Sequence, residues 1–263
     1  MVRRFARLQK SPHDDAYVEL IAGAAHVLTA APWVGGEPTG ERLEGYDDDA
    51  RGPLPRLAPV DPRKILCVGR NYRAHAKELG NEVPAEPMLF YKPTTALLDP
   101  GGSILLPPER ISSRIEHEAE LAVVVGARLR NADETAAARA IFGLTIACDV
   151  TARDLQKKDG QWWRAKGMDT FCPVGPVLVT GLSADALSIE CTVNGDVRQA
   201  GNTRDMIFGI ARVLSFVSDV MTLEPGDIVL TGTPEGVGPL VAGDRLRITV
   251  GGIGALEATV RAS

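Results

Sequence analysis

Short runs in which apolar and polar residues alternate make up much of this chain, a pattern that predicts β-strands. The clearest runs are residues 17–21, 24–28, 65–69, 228–231, 245–250 and 255–260. A further alternating segment, residues 189–198, contains Asn194-Gly195, the dipeptide that most favours a two-residue hairpin turn. We therefore expect an α+β fold that is mostly β.

Helical spacing is limited to a few segments. Residues 73–79 predict a short helix that Gly80 can end in the left-handed conformation. Thr151 and Asp154 resemble a capping box that opens another short helix. Thr203 is predicted to cap the longest helix, because an apolar stripe follows it at helical spacing: Met206, Ile207, Ile210, Val213, Leu214, Val217 and Met221.

A change in composition marks the end of the N-terminal part. Residues 45–62 hold three consecutive aspartates and four prolines, which favour a loop or an extended connection. A boundary near residue 60 follows. We therefore expect a small N-terminal domain over residues 1–60 and a main domain over residues 61–263.

The composition is that of an ordinary globular protein, and it narrows the range of partners. A net charge of −5 over 263 residues, without a stripe of Lys and Arg, argues against binding to nucleic acid or to an anionic membrane. The basic start is not followed by the apolar stretch of a secretory signal, and no apolar run is long enough to span a bilayer. The four cysteines lack disulfide or zinc spacing, so we expect them to be reduced and mostly buried. The expected location is the cytoplasm, and the expected partner is a small molecule.

The most informative feature is Glu118-Ala119-Glu120, at the start of an alternating strand. Side chains two residues apart in a strand point to the same face, so the two carboxylates would stand side by side and repel each other. Asp149 ends a second apolar run and can supply a third carboxylate. Oxygen ligands without a nearby cysteine favour a hard divalent ion. The alternative for Glu118 and Glu120 is the solvated face of an edge strand.

Three other features are candidates for catalysis or for ligand binding. His75 and Glu78 are neighbours on one face of the predicted short helix, close enough for the carboxylate to polarise the imidazole, although a simple surface pair is the alternative. Lys92 and Lys166 are candidate cations for a substrate, although most lysines are simply solvated.

The glycine-rich loop at residues 231–238 follows a strand, and its main-chain N–H groups are candidates to bind an anion. It lacks the ending of a phosphate-binding loop and no helix pattern follows it, so a nucleotide-binding oxidoreductase is disfavoured. An ordinary surface connection is the alternative.

Taken in order, these residues resemble a known family. Over roughly residues 62 to 263 the chain resembles the short bacterial members of the fumarylacetoacetate hydrolase family. The resemblance rests on Val68-Gly69-Arg70-Asn71-Tyr72 with His75 and Glu78, on Lys92-Pro93, on Glu118-Ala119-Glu120-Leu121, on residues 148–154, on Lys166 and on residues 230–238.

The resemblance implies a mixed β-roll around a central metal site, with a small N-terminal appendage, in a protein that forms a homodimer. The three carboxylate ligands of the family correspond to Glu118, Glu120 and Asp149. The implied ion is Mg²⁺ or Mn²⁺, with Ca²⁺ as a third candidate. Glu116 would be a rival ligand if the register shifted by two residues, but the apolar run after Glu120 follows the family pattern.

The resemblance also implies roles for other side chains. His75 and Glu78 correspond to an acid/base pair on a lid over the substrate, and Lys166 corresponds to an active-site lysine. The implied substrate-binding residues are Arg70, Tyr72, Lys92, Arg153, Gln156 and Thr233.

The predicted function is the metal-dependent hydrolysis of a C–C bond in a 2,4-diketo acid of the acylpyruvate type, through an enolate. His75, oriented by Glu78, would activate the attacking water. The alternative on the same residues is a 2-hydroxyhepta-2,4-diene-1,7-dioate isomerase/decarboxylase or an oxaloacetate decarboxylase. A hypothesis from another class is a metal-stabilised binding protein without turnover.

Overall fold

The computed structural model describes residues 1–263, and most of its regular structure is β, as predicted. The first ten strands are β1 Arg3–Ser11, β2 Asp14–Ile21, β3 Ala24–Leu28, β4 Pro38–Glu44, β5 Arg56–Leu57, β6 Ile65–Gly69, β7 Met88–Lys92, β8 Leu97–Leu98, β9 Ser103–Leu106 and β10 Ile115–His117. The last ten are β11 Ala119–Val125, β12 Ile141–Cys148, β13 Thr151–Ala152, β14 Cys172–Thr180, β15 Ser188–Val193, β16 Asp196–Asn202, β17 Ile228–Leu230, β18 Gly238–Pro239, β19 Arg245–Val250 and β20 Gly254–Ala262. The helices are α1 Arg73–Glu78, α2 Glu134–Arg139, α3 Arg153–Lys158, α4 Trp163–Lys166 and α5 Ile210–Val220.

The strands form three sheets. The large sheet has the order β4-β3-β2-β1-β14-β12-β11-β17-β6-β7, with β5 added to β1 and β8 added to β14. A five-stranded sheet, in the order β16-β15-β19-β20-β9, packs against it through β11, β12 and β14. A small third sheet has the order β13-β10-β18. Along the chain, β10 ends just before Glu118 and β13 begins shortly after Asp149.

Strand β11 lies in the middle of the large sheet and is buried on both faces. Leu121, Val123 and Val125 belong to the main hydrophobic core, while Ala122 and Val124 belong to a smaller core on the opposite face. Burial on both faces explains why this strand reads as an almost continuous apolar run. It also gives the residues at its start a rigid support.

The predicted hairpin is confirmed. Strands β15 and β16 pair on either side of Asn194 and Gly195, which have φ angles of +56° and +92°. Two successive positive φ angles are what a type I′ turn requires, and Asn-Gly tolerates them best. The register shifts at a bulge between Cys191 and Thr192, and this shift decides which side chains of β16 face inward.

The prediction that the longest helix begins at Thr203 is wrong, because α5 begins only at Ile210. Residues 203–205 form a single 3₁₀ turn, and Asn71 binds the chain that follows it: its main-chain oxygen accepts from Ile207 N, and its side chain both donates to Phe208 O and accepts from Phe208 N. These bonds occupy main-chain groups that a helix would need. A distant residue thus overrides the local preference.

The prediction of a capping box at Thr151 and Asp154 is also wrong. Thr151 lies in β13, and its hydroxyl donates to Asp149 O at 3.0 Å. Asp154 instead accepts hydrogen bonds from Ser112 Oγ at 2.5 Å and Ser113 N at 3.0 Å. The start of α3 is therefore fixed by a neighbouring loop and not by its own first turn.

The N-terminal strands extend the large sheet, since β1 pairs antiparallel with β14, with Arg3 opposite Thr180. The division of the chain near residue 60 stays a prediction. All four cysteines are buried and unpaired, as expected. None of the helices has the length and apolar character needed to cross a membrane.

Candidate active site

The three predicted metal ligands meet where two paired strands end. Strand β10 stops at His117 and β11 starts at Ala119, so Glu118 lies at the break between them. Asp149 directly follows β12, and its N–H donates to Glu118 O at 2.9 Å. One carboxylate oxygen from each of Glu118, Glu120 and Asp149 lies within 4.8 Å of the others, and all three side chains are buried. We call these three residues the carboxylate triad.

Two buried cations donate hydrogen bonds to the triad. Lys166 Nζ donates to Glu118 Oε2 at 2.8 Å and to Asp149 Oδ2 at 2.5 Å, and Arg153 Nη2 donates to Glu118 Oε1 at 2.6 Å. Burial alone would raise the pKa of Glu118, but Lys166 and Arg153 outweigh it and hold this pKa well below its usual value. Burial would lower the pKa of Lys166, but Asp149 and Glu118 raise it. Lys166 is therefore a fixed cation and not a base.

Glu120 is the least compensated member of the triad. One of its oxygens accepts the N–H of Gly232 at 2.6 Å, and no cation pairs with it. Burial, together with the charges of Asp149 and Glu118, raises the pKa of Glu120 well above its usual value. A divalent cation between the three carboxylates would remove this repulsion.

A second observation also fits a metal ion. Lys92 Nζ lies 2.8 Å from Asp149 Oδ1, but its three hydrogen bonds go to the main-chain oxygens of Val150, Lys166 and Phe171. Asp149 Oδ1 is consequently buried without a hydrogen-bond donor. Lys92 offsets the charge of this buried oxygen, but no hydrogen bond occupies its lone pairs, which leaves them able to bind a divalent cation. The all-oxygen donor set suits Mg²⁺, Mn²⁺ or Ca²⁺.

Glu116, the rival ligand, is held outside the triad. Its two carboxylate oxygens accept from Arg153 Nε and Arg114 Nε, each at 2.7 Å. Burial would raise the pKa of Glu116, but Arg153 and Arg114 keep it below its usual value. Glu116 therefore orients Arg153, while Glu118 is the residue that faces the triad.

The two residues of the predicted acid/base pair lie next to each other, and their role in catalysis stays a prediction. His75 Nδ1 lies 3.1 Å from Glu78 Oε2, with His75 buried near the start of α1 and Glu78 at the end of that helix. The other oxygen of Glu78 accepts the N–H of Gly236 at 3.0 Å. The glycine-rich loop therefore donates main-chain N–H groups to two carboxylates of the protein, Glu120 through Gly232 and Glu78 through Gly236. Gly232 has a φ of +94°, and a Cβ there would lie 2.7 Å from Asn71 Cβ, so only glycine fits.

The triad and the acid/base pair line one cavity of about 490 Å³. Arg70, Arg153, Gln156 and Thr233 also line it, as does Lys157. Each nitrogen of the Arg153 guanidinium already donates one hydrogen bond, to Glu116, Gln156 or Glu118, whereas Arg70 and Lys157 have no ion-pair partner in the chain. An apolar wall completes the cavity: Val68, Leu79, Phe90 and Trp162.

Two of the predicted substrate-binding residues do not line this cavity. Lys92 is buried behind Asp149, where it binds main-chain oxygens. Tyr72 has a buried hydroxyl without a hydrogen-bond partner, and burial raises its pKa. Lys92 therefore supports the site from behind, whereas Tyr72 lines a separate cavity with Arg73 and Pro234.

Two residues of this region, Lys157 and Gln199, were not predicted. The buried side chain of Gln199, on β16, contacts both Ala119 and Thr233. The sequence pattern indicated a scaffold hairpin there. The only signal for Gln199 in the sequence is that it is a polar residue in a strand whose partner, β15, has an apolar inward face.

Comparison with known proteins agrees with this architecture. Residues 64–261 match the family described as fumarylacetoacetate (FAA) hydrolase, C-terminal. The chain belongs to the fumarylacetoacetate hydrolase family. The resemblance found in the sequence is thereby confirmed, and the protein belongs to a family of enzymes that commonly depend on a metal.

Several similar proteins carry functional names. The mitochondrial oxaloacetate tautomerase of Arabidopsis thaliana is 46% identical over 200 residues, which cover 74% of this chain and 89% of that protein. The mitochondrial oxaloacetate decarboxylase of Dictyostelium discoideum is 44% identical over 198 residues, with coverage of 73% and 90%. The crystal structure of a 2-hydroxyhepta-2,4-diene-1,7-dioate isomerase from Mycobacterium marinum has a TM-score of 0.88 and 39% identity, and covers 99% of each chain.

Proposed function

We propose that this protein is a metal-dependent enzyme that transfers a proton at the carbon next to the 2-oxo group of a dicarboxylic acid, with oxaloacetate as the model substrate. Keto–enol tautomerisation is the simplest such reaction, and decarboxylation passes through the same enolate. The observation that carries this proposal is the presence of the His75–Glu78 pair and the carboxylate triad in a single cavity.

The acid/base pair supports a proton-transfer role for His75. An ionised Glu78 can only accept a hydrogen bond, so the proton of the neutral imidazole lies on Nδ1 and Nε2 is left to take a proton. Because Glu78 is itself held by Gly236, the imidazole is oriented before a ligand binds. Such a base typically contributes about 10²- to 10⁴-fold in rate.

The uncommitted cations support a dicarboxylate. Arg70 and Lys157 line the cavity without an ion-pair partner, so they can bind a second carboxylate that lies away from the triad. Oxaloacetate, named in two of the relatives, and the dienedioate named in the third are both dicarboxylates. A neutral acyl group would leave these two cations unpaired.

The remaining polar groups complete the proposed roles. A bound Mg²⁺ or Mn²⁺ would supply Lewis acidity toward the 2-oxo group. Lys166 would stabilise the negative charge that develops on the oxo oxygen, because its ammonium group is fixed beside the triad. Since Gln156 Oε1 accepts from Arg153 Nη1 at 2.6 Å, its amide nitrogen is left to donate to a substrate carboxylate.

Hydrolysis of an acylpyruvate is the second candidate. The same His75 would activate water, and the apolar wall with Phe90 and Trp162, whose rings meet edge to face at 5.4 Å, offers a surface for an acyl group. This wall is the observation that favours hydrolysis. It does not account for Arg70 and Lys157, and we therefore rank it second.

A metal-dependent turnover screen tests the proposal. Purified protein is supplied with Mg²⁺, Mn²⁺ or EDTA and offered enol-oxaloacetate, keto-oxaloacetate, an acylpyruvate and a 2-hydroxydienedioate. Loss of the enol absorbance and formation of pyruvate are followed together. EDTA-sensitive turnover of oxaloacetate supports the proposal, whereas pyruvate and a free acid from the acylpyruvate alone would favour the hydrolase. A lack of metal-dependent turnover on all four would favour a binding protein.

We also propose that the protein acts as a homodimer, as the family resemblance implies. Light scattering coupled to size-exclusion chromatography would give the mass in solution. A mass equal to that of one 28.0 kDa chain would contradict the dimer.

A further inference from the structure

The side chain of Gln199 fills all four of its hydrogen-bonding positions inside the protein. Oε1 accepts from Ala119 N and from His117 Nδ1, each at 3.0 Å. Nε2 donates to Thr233 Oγ1 at 2.7 Å and to Pro234 O at 2.8 Å. The residue is fully buried, so each of these bonds would be costly to lose.

The orientation of this amide follows from its partners. A main-chain N–H can only donate and a main-chain oxygen can only accept, so Oε1 must face Ala119 and Nε2 must face Pro234. His117 Nδ1 must then carry a proton. Thr233 Oγ1 accepts from Gln199, and its own proton goes to Ala119 O at 2.8 Å. Gln199 thus holds Ala119 on both sides, directly at its N–H and through Thr233 at its oxygen.

These contacts meet at the centre of the site. Ala119 separates Glu118 from Glu120, and it lies at the break where the chain passes from β10 to β11. Thr233 lines the cavity and follows Gly232, whose N–H donates to Glu120. One side chain from the five-stranded sheet therefore ties the strand that carries two carboxylates to the loop that faces them.

The bonds of Thr233 also decide what it can offer a ligand. Its hydroxyl proton is already donated to Ala119 O, so the hydroxyl presents only an acceptor to the cavity. Its main-chain N–H has no acceptor within the protein. A carboxylate bound beside the loop would therefore meet the N–H of Thr233 and not its hydroxyl proton.

We propose that Gln199 is a positioning residue of the active site, which fixes the spacing of Glu118 and Glu120 and aligns Thr233 through its hydroxyl. The inference rests on the proposed function only in that the triad must bind a divalent cation. It does not depend on which 2-oxo acid is turned over.

The test measures Mn²⁺ affinity by electron paramagnetic resonance in the full-length protein. Gln199→Leu removes all four bonds at similar volume and is expected to weaken Mn²⁺ binding by about tenfold or more. Val193→Ala, a buried apolar change in the same hairpin, is the matched control for loss of stability. It should lower the melting temperature and leave Mn²⁺ affinity unchanged.

A double-mutant cycle separates positioning from general damage. Thr233→Val removes the hydroxyl and should also weaken Mn²⁺ binding, while Thr233→Ser keeps the hydroxyl and should restore wild-type affinity. If Gln199 acts through Thr233, the double variant Gln199→Leu/Thr233→Val should be much less impaired than the product of the two single effects.

Each outcome decides the matter. Two results would overturn the inference and leave the proposed function intact. One is a double variant whose loss of Mn²⁺ affinity equals the product of the two single losses, and the other is a folded Gln199→Leu variant with wild-type Mn²⁺ affinity. Wild-type protein that binds Mn²⁺ but turns over no 2-oxo acid would overturn the proposed function while the coupling could still support this inference. Wild-type protein that binds no Mn²⁺ would overturn both.

Discussion

The imidazole of His75 and the carboxylate of Glu78 lie 3.1 Å apart, and the same carboxylate reaches across to the N–H of Gly236. The pair is therefore fixed at both ends, by the helix that carries it and by the glycine-rich loop. The same loop contacts Glu120 through Gly232. The acid/base pair and the triad are thus held by one segment of chain.

The first prediction concerns this pair. His75→Ala should reduce kcat by about 10²- to 10⁴-fold, because the base is lost, and Glu78→Gln should reduce it less, because it only weakens the orientation of the imidazole. Lys77→Ala, an exposed change on the same helix, is the control. Steady-state kinetics and Mn²⁺ titration measure the effects. Unchanged kcat in a folded His75→Ala variant would show that the base has been misassigned.

The second prediction is that Glu120→Gln affects thermal stability differently with and without a bound metal. Glu120→Gln removes one of three buried like charges, so the metal-free variant should melt at the same temperature as the wild type or higher. The wild type should gain about 2.7 kcal/mol in the presence of metal at 100 times its Kd, and the variant should gain much less at the same concentration. Thermal melts with Mn²⁺ or EDTA measure both effects. Asp185→Asn, at an exposed position, should behave as the wild type, and an equal gain in Glu120→Gln would exclude Glu120 as a ligand.

The third prediction concerns Lys92, which the sequence placed among the substrate-binding residues. Lys92→Met leaves three main-chain oxygens and Asp149 without their cation, so the free energy of unfolding should fall by about 3 to 5 kcal/mol. Lys158→Met, at an exposed position, should have little effect. Chemical denaturation measures the loss. Unchanged stability with a raised KM would support direct substrate binding.

The fourth prediction is a pH dependence at Asp154. Burial would raise the pKa of Asp154, but the hydrogen bonds from Ser112, Ser113 and Leu155 outweigh it and lower this pKa below its usual value. A lowered pKa in the folded state stabilises the protein above the pKa of the unfolded chain, near 3.9, and the effect is lost as the pH falls through the lowered value.

Asp154→Ala should therefore cost about 0.5 to 1.5 kcal/mol at neutral pH, because water partly screens this carboxylate. The difference from the wild type should shrink in acid. Denaturation curves over a pH series measure this, and a difference that does not change with pH would contradict the assigned bonds.

The pattern of the sequence predicted much of the site because strand alternation is a local property. It placed Glu118 and Glu120 on one face and offered Asp149 as a third carboxylate, and the pairing of β11 with β12 brings Asp149 to the other two. The turn of the hairpin at Asn194 is likewise determined by neighbouring residues. The resemblance to the family supplied the remaining candidates, and the structure brings all but Lys92 and Tyr72 to the cavity.

What the sequence could not predict depends on contacts between distant segments. The helix expected at Thr203 is shortened because Asn71 binds the chain at residues 207 and 208. Gln199 was missed because the bulge at Cys191 shifts the register, so counting outward from the hairpin turn does not place Gln199 opposite Cys191. Neither effect leaves a local signal.

In the proposed reaction, the protein removes a proton from the carbon next to a 2-oxo group with the help of a divalent metal. The most direct measurement is proton NMR of oxaloacetate in D₂O, following deuterium exchange at C3 with wild-type protein and Mg²⁺. We expect exchange faster than in the absence of protein, and we expect EDTA or His75→Ala to abolish it. Exchange at the rate of Mg²⁺ alone, in a preparation shown to bind the metal, would contradict it.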